Sequence, residues 1–279
     1  MTQRAEPLTF ARPGATLLGE RWGRSGPVVV MLHEGVADRR SWRPAATMIS
    51  DRAVAISYDR RGFGETPASH TEFSHAEDLL AVIDALGGGA CGWRGRQRAA
   101  GRTALDAACI APERVAGMLL LAPGVSGAPD PELDADTARL VGLLEAADAG
   151  GDLAAVNRLE TWLWLDGPAQ PEGRVGGEIR SLALEMIGIV LRRGAQEDAG
   201  QSRLDAWSRL EDVQVPVTVA CDDLDVPFIV ERPRSWRGAC PTPPTARSMV
   251  WPICQSWSGL IWWSRCSTSC SRSADAPNA

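Results

Sequence analysis

The hydrophobic pattern alternates between two periods along most of the chain. Leu8 to Trp22 holds two short strand-like runs around Pro13-Gly14, which predicts a leading hairpin. Pro27 to Leu32 is a continuous, mostly β-branched run of the kind expected for a strand buried on both faces. Asp38 to Met48 predicts a helix carrying Trp42, and Ala53 to Tyr58 the next buried strand. Ser74-His75-Ala76-Glu77 has the form of a capping box. It opens a helix whose Leu79, Leu80, Val82, Ile83 and Leu86 fall at helical spacing, and Gly87 stops it. Thr103 to Ile110 predicts a further helix, and Val115 to Ala122 and Val215 to Ala220 two more buried strands. Strands that alternate with helices in this way imply an α/β fold with a mostly parallel central sheet flanked by helices. Asp130 to Leu210, a long helical segment between two sheet strands, reads as an inserted helical lid. The resulting division is a core of residues 1–129 and 211–279 and a lid of residues 130–210. Within the lid, Trp162, Trp164 and Leu165 either line a pocket or pack between helices, and packing is the more common use of such residues.

Composition adds two exclusions and one anomaly. The net charge of −6 argues against a nucleic-acid partner. No apolar run is long enough to span a bilayer, and Met1 to Pro13 has no apolar core of a secretory signal, so the expectation is a cytoplasmic protein without membrane contact. The anomaly is local. Of the 7 cysteines, Cys91, Cys240, Cys254, Cys266 and Cys270 lie in two stretches, roughly 90–100 and 232–273. Trp93, Trp236, Trp251, Trp257, Trp262 and Trp263, from a total of 11 tryptophans, lie there too. From Arg232 onward the only acidic residue is Asp275. The late cysteines lack paired C-x-x-C spacing and any nearby histidine, so neither a zinc module nor a disulfide framework is expected. The arginines near residue 95 lack the lysine and spacing of a phosphate loop. No cofactor or metal is implied.

Three turns carry candidate chemistry. One buried strand ends in His33-Glu34-Gly35, a second in Asp59-Arg60-Arg61-Gly62-Phe63-Gly64, and a late strand is followed by Asp225. Together these resemble the α/β-hydrolase fold, in its small esterase, lactonase and haloperoxidase-like branch, over roughly residues 8–89 and 101–231. The glycine that usually follows the histidine is Glu34 here. The resemblance implies nucleophilic catalysis on a small-molecule ester, lactone or similar acyl substrate by serine, acid and histidine in that chain order. It also implies an oxyanion loop at His33, Glu34 and Gly35, with Gly35 supplying a backbone N–H. Asp225 would be the acid.

The other two members are missing. The elbow should lie just before Gly101-Arg102-Thr103, where no serine stands, and no histidine follows Asp225. The 3 histidines are His33, in the oxyanion loop, and His70 and His75, which read as exposed. A one-base offset of the reading frame permits both, although the code there equally allows proline, threonine or alanine for the serine and aspartate, asparagine or tyrosine for the histidine. Between Ala90 and Gly101 the offset codons permit a strand end and G-x-S-x-G-G, with the serine triplet straddling Arg96 and Gln97. From Met249 the same offset forces glycine and then alanine around a Leu, Met or Val. It next permits histidine across Pro252 and Ile253, and a closing amphipathic helix beyond. Acidic residues return and the tryptophan and cysteine excess disappears. The expectation is a frame-shifted serine hydrolase, inactive as it stands; the alternative is a non-catalytic, ligand-binding relative. Arg94, Arg96 and Arg98 are expected to cost the chain a central strand, because they would bring charge into the sheet.

Overall fold

Among the described residues, a seven-stranded mixed sheet runs through the molecule. The computed structural model describes residues 4–68, 72–87, 92–96, 98–194, 200, 204–220 and 224–235, of which 92–96, 98 and 232–235 are described by backbone alone. The leading hairpin is β1 (Glu6–Arg12) and β2 (Ala15–Trp22), joined at Pro13-Gly14 with Arg12 opposite Ala15. β2 pairs antiparallel with β4 (Val54–Tyr58). From β4 on every pairing is parallel, through β3 (Val28–Leu32), β5 (Gly92–Arg96), β6 (Met118–Leu121) and β7 (Val217–Ala220). The parallel part is thus five strands, and the hairpin makes the sheet mixed.

Helices cover both faces. On one, α1 (Arg43–Ile49) packs Ala46 and Ile49 with Trp42, Trp22, Met31 and Ala55. On the other, α2 (His75–Ala85) and α3 (Arg98–Ile110) bury Leu79, Ile83, Ala104 and Leu105 against Val30, Leu32, Ile56 and Leu120. The predicted helix over 38–48 divides. Asp38 caps a short 3-10 turn, Arg39–Trp42, and α1 begins after it with Pro44 in its first turn. A proline lacks the N–H needed to continue the preceding ladder but suits a new helix start. Ser74 caps the helix as read, its hydroxyl accepting from the Glu77 N–H at 3.4 Å.

Two expectations are corrected. β5 is present as the central strand, with Arg94 in register beside Met31 and Leu119. The ladders of β3 and β6 flank that position, and a backbone left out of the gap would orphan their N–H and carbonyl groups. His75 is buried, not exposed: its ring meets the Phe73 ring edge-on with centroids 5.1 Å apart, and its backbone N–H donates to the Gly200 carbonyl at 2.9 Å. The first turn of an amphipathic helix faces the core as often as solvent, and charge pattern alone did not separate the two.

Between β6 and β7 lie α4 (Ala135–Ala149), α5 (Leu153–Thr161), a π-helical turn (Trp162–Asp166) and α6 (Gly177–Arg193). The buried Asp166 carboxylate organises the following loop by accepting from the Gly173 and Val175 N–H groups at 2.8 Å and from Arg180 at 2.7 Å. Trp162 and Trp164 pack against the main core, and the Trp162 indole N–H donates to the Gln170 carbonyl at 2.7 Å. After β7, α7 (Pro227–Ser235) closes the described chain.

Candidate active site

Five parallel strands put the ends of β3, β4, β5, β6 and β7 on one edge of the sheet, where open α/β sheets carry their chemistry. The three turns identified in the sequence all start from that edge.

The first is His33-Glu34-Gly35. His33 is buried and its ring is held from both sides. The Arg60 backbone N–H donates to Nε2 at 3.0 Å, so Nε2 is an acceptor and carries no proton. Nδ1 lies 2.7 Å from the Glu34 carbonyl oxygen and therefore bears the hydrogen. Burial, then the Arg60 charge, lowers its pKa well below the ordinary 6.5, so the ring stays neutral. His33 is a brace and not an acid or base. The Arg60 guanidinium donates to the same Glu34 carbonyl at 3.1 Å and stacks over Phe63 at 4.4 Å. The loop after β3 is thereby bolted to the turn after β4.

That second turn is built around Asp59. Its carboxylate accepts from the Arg39 and Glu65 N–H groups at 2.8 Å and pairs with the Arg39 guanidinium, which also meets Glu20 and Glu65. Burial raises the Asp59 pKa against these bonds. Gly64 has φ of +50°, and a Cβ there would strike the Asp59 carboxylate, so only glycine fits. Arg61 points the other way and clasps Asp78 through two bonds of 2.7 and 2.8 Å. The D-x-R-G-x-G motif is therefore a set of braces.

Gly35 faces the helix after β5: a Cβ on Gly35 would lie 3.8 Å from the Cβ of Ala99. β5 ends at Arg96 and α3 begins at Arg98. The nucleophile slot read at Arg96 and Gln97 thus coincides with a strand-to-helix junction, although Gln97 and the Arg96 side chain lie outside what is described. α3 sits tightly on the end of β6, since a Cβ on Gly101 would approach Pro123 to 2.5 Å. Asp225 is buried between β7 and α7, and its Oδ1 accepts from the Val226 N–H at 2.8 Å. The base slot, Pro252 and Ile253, lies outside the described residues, as do His70 and the late cysteines.

Sequence reasoning missed Asp106. It lies on α3, buried, and accepts from the Ser126 hydroxyl at 2.8 Å through Oδ2, while Oδ1 has no partner among the described residues. Burial raises its pKa to about 6. Its signal was a lone acid among alanines on the core face of an amphipathic helix.

The fold is that of the α/β hydrolases. No family model matches the sequence, and no curated protein matches it. Solved structures do. The carboxylesterase CesB (YbfK) from Bacillus subtilis superposes with a TM-score of 0.70 at 15% identity, over 96% of this chain and 92% of that one. The esterase RhEst1 from Rhodococcus sp. ECU1013 gives a TM-score of 0.70 at 20% identity, over 96% and 99%. Est816, described as an N-acyl homoserine lactone degrading enzyme, gives 0.69 at 20% identity, over 92% and 99%.

Proposed function

We propose that the chain is built as an α/β-fold hydrolase for a small ester, lactone or similar acyl substrate. Its chemistry is assigned to a Ser-His-Asp set of which only the acid is present. The observation that carries this reading is the apposition of Gly35 to Ala99 at the start of α3, directly after a strand that ends at Arg96. In the mechanism proposed, the Gly35 N–H and the first N–H groups of α3 would be the donors to a tetrahedral oxyanion. A serine at the junction would attack the acyl carbon, a histidine would take its proton, and Asp225 would orient that histidine. With neither serine nor late histidine, the chain as it stands makes no acyl-enzyme, and at most binds substrate through the remaining loop. The ester and lactone activities named for the structural relatives support the substrate class, and the shared fold gives no finer choice.

The missing pair is assigned to a one-base shift of frame in the gene, over residues 90–100 and again after Arg232. In support, the triplet that permits serine straddles the junction between β5 and α3. Residues 130–210 are assigned as the lid over a core of 1–129 and 211–279. In support, α6 is tied to the loops of the sheet edge, by Glu185 to Arg40 at 2.7 Å and by Arg193 to the Thr66 carbonyl at 3.1 Å. The second reading, a non-catalytic ligand-binding relative, is favoured by the presence of β5 at the centre of the sheet with its residues as they stand.

The test is an ester and lactone panel on the chain and on a frame-restored version, with the gene sequenced over both stretches. The chain should show no turnover, and the restored protein should hydrolyse a substrate and lose that activity on Asp225→Asn. Turnover by the unrestored chain that depends on Asp225 would refute the loss of function. An uninterrupted gene would select the ligand-binding reading, and an inert but folded restored protein would end the hydrolase reading.

A further inference from the structure

The sheet has a second built feature on the edge opposite the candidate active site. There the start of β1 and the end of β2 border a cleft of about 460 Å³, lined by Arg4, Glu6, Arg21, Gly23 and Arg24 among others. The hairpin register sets Glu6 directly across from Arg21, and Arg4 stands two residues ahead of Glu6. One carboxylate therefore shares the cleft with three guanidinium groups. Glu6 Oε1 accepts from Arg24 at 3.2 Å, an exposed pair that is weak in water. Among the described residues Arg21 bonds through Nε alone, donating to the Gly23 carbonyl at 3.2 Å. Arg4 makes no hydrogen bond or ion pair among the described residues. Gly23 is fixed in place: its φ is +77°, and a Cβ would run into the Ala53 carbonyl.

We propose that this cleft binds a phosphate monoester, with the phosphoryl dianion on Arg4 and Arg21 and Arg24 at the rim. The charges support that class. The cleft carries a net two positive charges within a chain of net −6, and a phosphate monoester carries close to two negative charges at neutral pH. Guanidinium forks match tetrahedral phosphoryl oxygens in pairs, which a single lysine would not do. The size suits a small molecule rather than a macromolecular surface. The site is independent of the hydrolase reading, because none of its residues lies on the catalytic edge.

Calorimetric titration of the full chain at low ionic strength, with glycerol 3-phosphate, inorganic phosphate and succinate, tests this. Glycerol 3-phosphate should bind saturably and more tightly than succinate. Arg21→Gln and Arg4→Gln should each weaken binding about tenfold, the loss of a charge-assisted pair. Glu6→Gln should strengthen it by removing the competing carboxylate, a gain that cannot arise from misfolding. Circular dichroism should show all three variants folded. Several results would overturn the proposal: no saturable binding, binding by inorganic phosphate alone, succinate binding as tightly, or affinity unchanged in the Arg4→Gln, Arg21→Gln double variant.

Discussion

Asp106 offers the sharpest test of the physical reading, because a buried acid with one unpartnered oxygen must show itself in the pH dependence of stability. Its carboxyl is held at about 6 by burial, against the Ser126 hydrogen bond and the Arg102 charge, while an unfolded chain returns it to near 3.8. The folded pKa lies above the unfolded one, so the folded state binds the proton more tightly between these values. Stability from this group is therefore full below pH 3.8, falls as pH rises toward 6, and stays low above. The interval from 3.8 to about 6, at ~1.36 kcal/mol per pKa unit, amounts to about 3 kcal/mol. Asp106→Asn removes the titration and keeps an oxygen to accept from Ser126, at the cost of burying an amide N–H₂ whose penalty does not change with pH. The diagnostic is thus the slope of the difference and not its absolute size. Urea unfolding of both proteins across pH 4 to 8 should show the variant gaining on the parent by about 2–3 kcal/mol as pH rises, all within the window below about 6. The other carboxylates titrate identically in both and cancel. Parallel stability curves would refute the reasoning.

His33 should keep its Nδ1–H tautomer as pH falls below 6.5, visible as imidazole ¹⁵N shifts; an imidazolium signature near pH 6 would contradict the two-sided brace. Since its folded pKa is depressed, its contribution to stability is present above 6.5 and is lost as pH falls toward the folded value. Asp78→Asn takes the carboxylate from Arg61, which is 2% exposed, and from Arg12, and should cost about 3–5 kcal/mol in urea unfolding. A loss under about 1 kcal/mol would mean the pair is not buried as described. Gly101→Ala should destabilise by about 1–3 kcal/mol, because its Cβ would meet Pro123 at 2.5 Å, and a neutral result would show that α3 sits further from β6.

The elements with a clean period were legible in the sequence. The β-branched run ending at Leu32, the Ser74 box and the Pro13-Gly14 turn each carry one local signal that tertiary packing does not override. β5 was not legible, because its residues, read alone, argue against a strand. Its place comes from the ladders of β3 and β6 on either side, a non-local cause that no window of sequence contains. The loops of the candidate site were legible by residue type, but their roles were less so. Asp59 and His33 look like catalytic groups in a list of residues. Only the partners of each, Arg39 and Glu65 for one and Arg60 and Glu34 for the other, show that they hold loops in place.

This division of labour bears on how the sheet edge proposed for catalysis keeps its shape. His33 is braced by residues 34 and 60, Asp59 by residues 39 and 65, and Asp78 by residues 12 and 61, all outside the two anomalous stretches. The supports of the loops after β3 and β4 therefore draw no stability from the nucleophile slot proposed at Arg96 and Gln97 or from the base slot proposed at Pro252 and Ile253. A change in either slot leaves these braces satisfied, whereas a change to Asp59 would strand the buried Arg39 charge at once. Scaffold and chemistry are separable in this chain because each brace is completed by its near neighbours in space. Under the proposed function, a frame-restored version would add its nucleophile to loops already held in place, and the effect should fall on turnover rather than on their geometry.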